Sequence, residues 1–404
     1  MKKLKKNIIV SQFGRRNDFL VANIFEKNGL LKNLITTYWH KKIEKFNLLK
    51  KLTENYWFNS RYYSSDFIKE EKVITFPIAE VLSKIITKIY GERLKDPNYQ
   101  LPFIFKFFNY MVSKKIKDFD GILYSLADSD PLFKNCSKAI KVHEHVNSAI
   151  AYKSALKELG WDKKELKNYE RGSASEYSSL SSSDYIISPS KWISECIQKY
   201  YSISSKKIFI IPYWIPDWCT RNWEQRVFKK GEKLKIVFVG RVHKIKGIHL
   251  LIEAVKNFPD EIELYIVGAC SDKKIIKDLP HNIKYIGYIN RENLKNFYSK
   301  IHLFCLPSLC EGSALVSYEA IGFGLPGLVT YETGSQYKNN FTGIIVESNS
   351  ISSIVVELKK ILDDREKIFK WSKNTLKLKK EFNKEKYESR LIDTINKIKT
   401  THSK

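Results

Sequence analysis

Short runs of β-branched and aromatic residues alternate with amphipathic segments along the whole chain, and this alternation restricts the fold more than any other feature. In the first half the runs are "NIIVSQ" (7–12), "LITTYW" (34–39), "DGILYSLA" (120–127), "KAIKVHEHV" (138–146), "DYIISPS" (184–190) and "KIFIIPYW" (207–214). In the second half they are "LKIVFVG" (234–240), "IELYIVG" (262–268), "NIKYIGYI" (282–289), "HLFCLPS" (302–308), "GLVTY" (327–331) and "GIIVE" (343–347). Strand and helix in strict succession build parallel sheets with helices on both faces. A chain of 404 residues exceeds what one core usually organises, so two such sets predict an α/β protein of two doubly wound, Rossmann-like domains. The polar stretch "PDWCTRNWEQRVFKKGEK" (216–233) starts on a proline and has a glycine near its end, which marks a linker. The expected division is an N-terminal domain over 1–215, the linker over 216–233 and a C-terminal domain over 234–382. Ligands of open α/β sheets sit outside the carboxyl ends of the strands, so facing sheets would place a site in the cleft between them.

Charge and cysteine usage narrow the function classes. The net charge of +26 invites a nucleic-acid reading. The basic residues are nearly all Lys and are spread along the whole length, and no helix-turn-helix, zinc-finger or RNP-type signature is present, so no nucleic-acid partner is expected. Six cysteines without a Cys-x-x-Cys pair argue against a zinc site or a disulfide framework and fit reduced thiols. The basic start "MKKLKKNIIVSQFGRRND" carries an apolar run too short for a signal sequence, and no later run approaches the ~18 apolar residues of a membrane span. A cytoplasmic protein is expected. Residues 76–118 hold two apolar, Lys-edged helical segments. Such helices can lie on an anionic inner-membrane surface, and helices that cover a sheet have the same pattern, so both readings stay open.

Two stretches carry candidate chemistry. In "LKIVFVGRVHKIKGIHLLIEAVKNF" (234–258) a buried strand ends at Gly240, a loop carries Arg241 and Lys246, and Gly247 opens a helix whose Ile248, Leu251, Ile252 and Val255 share one face. Two cations at the carboxyl end of a strand can neutralise a diphosphate, Arg by forked hydrogen bonds and Lys as a compact charge. Solvated loop cations would read the same way. In "LPSLCEGSALVSYEA" (306–320) a strand ends, Glu311-Gly312-Ser313 makes a tight turn, and Ala314 to Phe323 forms a short helix stopped by Gly324 and Pro326. Small residues there leave the first N–H groups of the helix open to an anion. Glu311 and Glu319 then flank that anion as acceptors for the hydroxyls of a polyol. The triplet Asp128-Ser129-Asp130 resembles a metal-holding Asp-x-Asp, but Arg241, Lys246 and a helix N-terminus already answer the phosphate charge, so no metal is expected.

Glu-x7-Glu after "LPS", with Gly-Arg…Lys-Gly after a strand, resembles the retaining glycosyltransferases of the GT-B fold, family 4. Further similarity lies in "DYIISPSKW…KIFIIPY" (184–213), "NIKYIGYINRENLKNFYSKIHLFCLPS" (282–308), "GLPGLVTYETGS" (324–335) and "TGIIVESNSISSIVVELKKILDD" (342–364). The first 180 residues match weakly, through "SQFGRRNDFLVANIFEKNGLLKNLITTYW". The resemblance implies that Arg241 and Lys246 hold the donor diphosphate, Glu319 the ribose and Glu311 the transferred sugar. It implies that the backbone of Gly312, Ser313, Ala314 and Leu315 meets the phosphate or sugar, and that the strand end at Gly287 reads the base. The Gly14 turn would approach the donor, and a histidine after a central strand would touch the sugar. "KVHEHV" offers His143 and His145 on one side of that strand, with His145 favoured.

The implied partners are a nucleotide-sugar donor and a glycan or lipid-linked acceptor of bacterial surface polysaccharide, with no cofactor and no metal. The final helix, within 383–404, is expected to pack back on the first domain. The turn reads Glu-Gly-Ser-Ala where many relatives read Glu-Gly-Phe-Gly, and Gly268-Ala269-Cys270 stands where many have Gly-Asp-Gly, which bears on the base and sugar more than on the reaction. Two other readings fit the same sequence. One is another GT-B enzyme, such as an epimerase or phosphorylase; the other is a non-catalytic basic protein that binds nucleic acid or anionic lipid.

Overall fold

The computed structural model describes residues 7–14, 16–39, 65–90, 102–126, 129–219 and 231–402. Arg15, Asp128 and residues 220–230 of the expected linker lie outside them. The first sheet contains β1 (Ile8–Gln12), β2 (Leu31–Thr36), β3 (Val73–Thr75), β4 (Ile122–Leu126), β5 (Ile140–Glu144), β6 (Tyr185–Ser188) and β7 (Ile208–Ile210). The second contains β8 (Leu234–Val239), β9 (Ile262–Val267), β10 (Ile283–Gly287), β11 (Leu303–Leu306), β12 (Gly327–Thr330) and β13 (Gly343–Val346). Their spatial orders are β3-β2-β1-β4-β5-β6-β7 and β10-β9-β8-β11-β12-β13. Every pairing between these strands is parallel.

Parallel sheets carry their crossovers on both faces, and the sequence shows it: β11 and β12 are buried at every position, so they read as unbroken apolar runs. Strand order reverses between β1 and β4 and again between β8 and β11. At such a reversal the loops leave in opposite directions and open a crevice above the strand ends. Both candidate stretches, 240–247 after β8 and 307–314 after β11, flank the crevice of the second sheet.

Several helix starts are capped by side chains. Ser148, Ser190, Asn290 and Ser350 each accept a backbone N–H in the first turn of their helices. The insert, residues 76–118, contains two helices, Pro77–Tyr90 and Pro102–Ile116, each opening on a proline, which has no N–H to leave unsatisfied there. Ala79, Phe108, Val112 and Ile116 pack with Ile9, Ile35 and Leu123 of the first sheet, so these helices do cover a sheet face. The Lys384–His402 helix leaves the second sheet and returns to the first domain, where Asn28 donates to Glu388 at 3.0 Å and the Tyr387 and Trp214 ring centroids are 4.8 Å apart.

Two strand boundaries differ from expectation. β2 spans Leu31–Thr36 and stops three residues before the end of the 34–39 run, because Thr37 turns aside to accept from the Gly14 N–H at 3.2 Å and to donate to Glu80 at 2.7 Å. β3 was not anticipated; it is a three-residue edge strand just before Pro77, too short to show an alternation.

Candidate active site

The loop after β8 starts at Gly240, bridges Val242 to Cys270, and makes one 3-10 turn over Lys244–Lys246. Gly247 then opens the Ile248–Val255 helix at φ +69°, and a Cβ there would sit 1.8 Å from the Pro307 carbonyl oxygen. Only glycine fits, because the backbone is left-handed and the loop after β11 passes directly against it. The Leu309 N–H donates to the Ile245 carbonyl at 2.8 Å and ties the two loops together. Lys246 is thereby delivered onto Glu311, and its Nζ contacts Glu311 Oε1, while Ser308 donates to the same oxygen at 3.4 Å. Both side chains are only partly exposed, Lys246 at 27% and Glu311 at 15%. The cation and the carboxylate thus lie against each other on the cavity wall.

The turn after Glu311 is pinned from its own domain. Glu311 N–H donates to the Glu332 carbonyl at 2.9 Å, Ala314 N–H to Thr333 at 3.1 Å, and the Ser313 hydroxyl to Gly334 at 2.9 Å. One of the open amides expected from the sequence, that of Ala314, is therefore already occupied. The helix itself runs Leu315–Gly322, so the N–H groups of Leu315 and Val316 have no acceptor within it. Both residues line the cavity that the turn faces.

That cavity, about 800 Å³, lies between the two domains, within the size range of small-molecule sites. Its second-domain wall includes Gly240, Arg241, Lys246, Glu311, Gly312, Ser313, Ala314 and Leu315. Eight sequence-predicted residues thus share one wall. The first domain contributes Val146, Asn147, Ser148, Tyr152 and Trp161. Tyr152, Trp161 and His243 were missed in the sequence because no motif marks them.

Four predicted residues lie outside this lining. Gly14 spends its N–H on Thr37 and its carbonyl on Gln12 and Thr36, each bond at 3.1–3.2 Å. Gly287 ends β10, where its carbonyl accepts from Gly268 N–H at 2.8 Å. His145 is 6% exposed and sits in a buried polar row. In that row Ser129 Oγ is 2.8 Å from His143 Nδ1, His143 Nε2 is 3.3 Å from His145 Nδ1, and His145 Nε2 is 2.8 Å from Glu176 Oε1. The open choice between the two histidines meets a structure in which both belong to this row, with His145 adjoining the cavity-lining Val146.

Glu319, one turn into the helix, lies beside Tyr298, and burial pushes its carboxyl up to about 7, against the attraction of Arg291 and the hydrogen bond from Tyr298. A carboxyl whose pKa is raised by folding adds stability that is present below its unfolded value, near 4.5, and lost as pH rises through about 7. Glu319→Gln should therefore gain stability over the wild type as pH rises from 5 to 8, approaching about 3 kcal/mol. Denaturation midpoints across that range check this; a difference that does not change with pH refutes it.

Asp130 of the acidic triplet pairs with Lys134 at 3.1 Å, and Ser129 is held by His143. Among the described residues no group of three or more His, Cys, Asp or Glu is placed to hold a metal ion, and no helix is long and apolar enough to cross a membrane.

Residues 220–378 match the family model described as Glycosyl transferases group 1. The chain is 28% identical over 146 residues to the capsular polysaccharide biosynthesis glycosyltransferase CapM of Staphylococcus aureus, covering 33% of this chain and 38% of that one. It is 28% identical over 198 residues to the UDP-Gal:alpha-D-GlcNAc-diphosphoundecaprenol alpha-1,3-galactosyltransferase of Escherichia coli, covering 42% and 49%. The chain spans about half of the length of the curated relatives it matches, between 29% and 58%. Among solved structures, sucrose-phosphate synthase from Thermosynechococcus elongatus superposes with a TM-score of 0.66 at 14% identity, over 98% of this chain and all of that one. The architecture is that of the GT-B fold.

Proposed function

We propose that this chain, whose residues 220–378 match the model of the glycosyl transferases group 1 family, transfers a sugar from a nucleoside-diphosphate donor to a hydroxyl of a glycan or lipid-linked acceptor, with retention at the anomeric carbon. The observation that carries this is the single wall on which Arg241, Lys246, Glu311 and the 312–316 backbone meet. As the sugar–phosphate bond breaks, charge gathers on the departing diphosphate. Two cations and the N–H groups of a helix N-terminus, fixed in a partly enclosed cavity, stabilise that charge without reorganising. Glu311, released from Lys246 by the incoming phosphate, is left to accept hydrogen bonds from the sugar. The acceptor proton passes to the leaving phosphate oxygen, so no protein carboxylate serves as base. Hydrolysis or transfer measured against a panel of nucleotide sugars tests the reading: one or a few donors should be turned over with retained stereochemistry, and no turnover of any donor contradicts it.

The same arrangement leaves the phosphate charge to side chains, so donor turnover should be unchanged within about twofold by EDTA. A loss restored by Mg²⁺ or Mn²⁺ would show that Arg241 and Lys246 do not suffice.

The surface-polysaccharide setting is supported by the Staphylococcus aureus relative, a capsular polysaccharide biosynthesis glycosyltransferase, and the Escherichia coli relative, which acts on a diphosphoundecaprenol-linked sugar. The outer face of the insert fits it. Phe103, Phe107 and Tyr110 recur at i, i+4 and i+7 on one exposed stripe, with Lys106 and Lys114 beside them. Aromatics flanked by lysines suit the interface of an anionic bilayer. A Phe103→Ser, Phe107→Ser variant should lose about tenfold in binding to anionic vesicles, from the apolar area removed, while hydrolysis of soluble donor stays unchanged. Equal vesicle binding by variant and wild type would remove the membrane from the account.

A further inference from the structure

The turn that carries Glu311 is also gripped from the other domain. Ser190, 1% exposed, ends the loop after β6 and caps the Lys191–Tyr201 helix by accepting the Ile193 N–H at 3.2 Å. A hydroxyl has one proton, and that proton goes across the domain boundary: Ser190 Oγ donates to the Gly312 carbonyl at 2.6 Å. Space is kept for the bond on the far side, where a Cβ on Gly334 would come within 2.5 Å of the Gly312 oxygen and 2.9 Å of Ser190 Oγ. Next to it the Gly312 backbone abuts the first domain, since a Cβ at Gly312 would lie 1.7 Å from the Val146 carbonyl oxygen. The abutting segment is braced in turn by Glu176. Its Oε2 accepts from the Ala149 N–H and the Tyr201 hydroxyl, both at 2.7 Å, and its Oε1 faces His145.

We propose that Ser190 is a positioning residue: its hydroxyl proton, held by Gly312, sets the 311–314 turn in the orientation that presents Glu311 and the following helix N-terminus to the cavity. The bond exists only when the two domains are docked, so it couples closure to completion of the anion site. This deepens the glycosyltransferase reading and depends on it for the identity of the ligand, but not for the effect on the turn.

The two roles of the hydroxyl can be separated. Aspartate caps a helix as well as serine does but brings no proton to Gly312, whereas threonine keeps both functions. Amide hydrogen exchange at Glu311 and Ala314, whose N–H groups tie the turn to the Glu332 and Thr333 carbonyls, reads the turn without any ligand. Exchange should quicken about tenfold in Ser190→Ala and Ser190→Asp and stay at the wild-type rate in Ser190→Thr. Tyr331→Phe, which removes a different cross-domain bond at 2.9 Å to Glu195, should leave those amides unchanged. Titration with uridine diphosphate should show Kd raised about tenfold in the Ala and Asp variants and near normal in Thr.

Wild-type exchange and affinity in Ser190→Ala, or recovery of both in Ser190→Asp, overturns the proposal; the second outcome leaves only a cap. If the wild type binds no nucleoside diphosphate, the glycosyltransferase reading falls and the exchange rates alone decide on Ser190.

Discussion

Lys246→Ala is expected to lower kcat/KM for the donor by about 10²–10³, the loss typical of removing one group aimed at charge that develops in the transition state. Two effects act together. The departing diphosphate loses a cation, and Glu311, whose contact partner Lys246 is gone, keeps its negative charge beside it. A second substitution, Glu311→Gln, removes that repulsion at the cost of the sugar contact. The double variant should therefore fall to within about tenfold of Lys246→Ala alone, well short of the product of the two single losses, as interacting neighbours do. Stability should barely move, because the pair is partly exposed and loop-borne, a setting in which ion pairs contribute little. Activity near that of the wild type in Lys246→Ala would refute the role given to this cation; multiplicative losses would refute the pairing.

Gly312→Ala should be nearly as damaging, with a different cause. The added Cβ would stand 1.7 Å from the Val146 carbonyl oxygen, a backbone atom of the other domain, so neither partner can swing away as a side chain could. The turn or the domain must shift, and a displacement of about 1 Å at a reacting centre can cost on the order of 10²-fold in rate. The strain falls on loops at the domain boundary and not on a sheet, so the unfolding midpoint should drop only modestly. Gly172→Ala is the matched control: it lies inside the Lys163–Ser181 helix, where the new Cβ meets Ala149 Cβ at an ordinary 3.5 Å. That variant should retain full turnover with unchanged or slightly raised stability. Normal kinetics in Gly312→Ala would mean that the docked turn is not the working one.

The parallel sheets and the second-domain wall were legible in the sequence because they rest on local signals. Strands buried on both faces are continuous apolar runs, and the loops after β8 and β11 carry their cations, glycines and carboxylates at fixed offsets from strand ends. What depended on distant parts of the chain was not legible. The burial that raises the Glu319 carboxyl comes with Tyr298 and Arg291 beside it, and nothing in the spacing of 311 and 319 announces them. The amide of Ala314 looked free until Thr333 was found opposite it. Glu176 lies in a Ser-rich helix 31 residues beyond His145, and only the sheet topology brings the two within 2.8 Å. Ser190 sits in the run "DYIISPSKW", where nothing marks a bond that crosses to a residue 122 positions away.

The central claim is that the cavity between the sheets holds a nucleoside diphosphate through Arg241, Lys246 and the 312–316 backbone. Calorimetric titration of uridine diphosphate, guanosine diphosphate and their monophosphates into the wild type and Arg241→Ala/Lys246→Ala tests it most directly. The account predicts one site per chain, a diphosphate bound at least about tenfold more tightly than its monophosphate, and loss of that preference in the double variant. A diphosphate bound no better than its monophosphate, or bound equally well without the two cations, would contradict it.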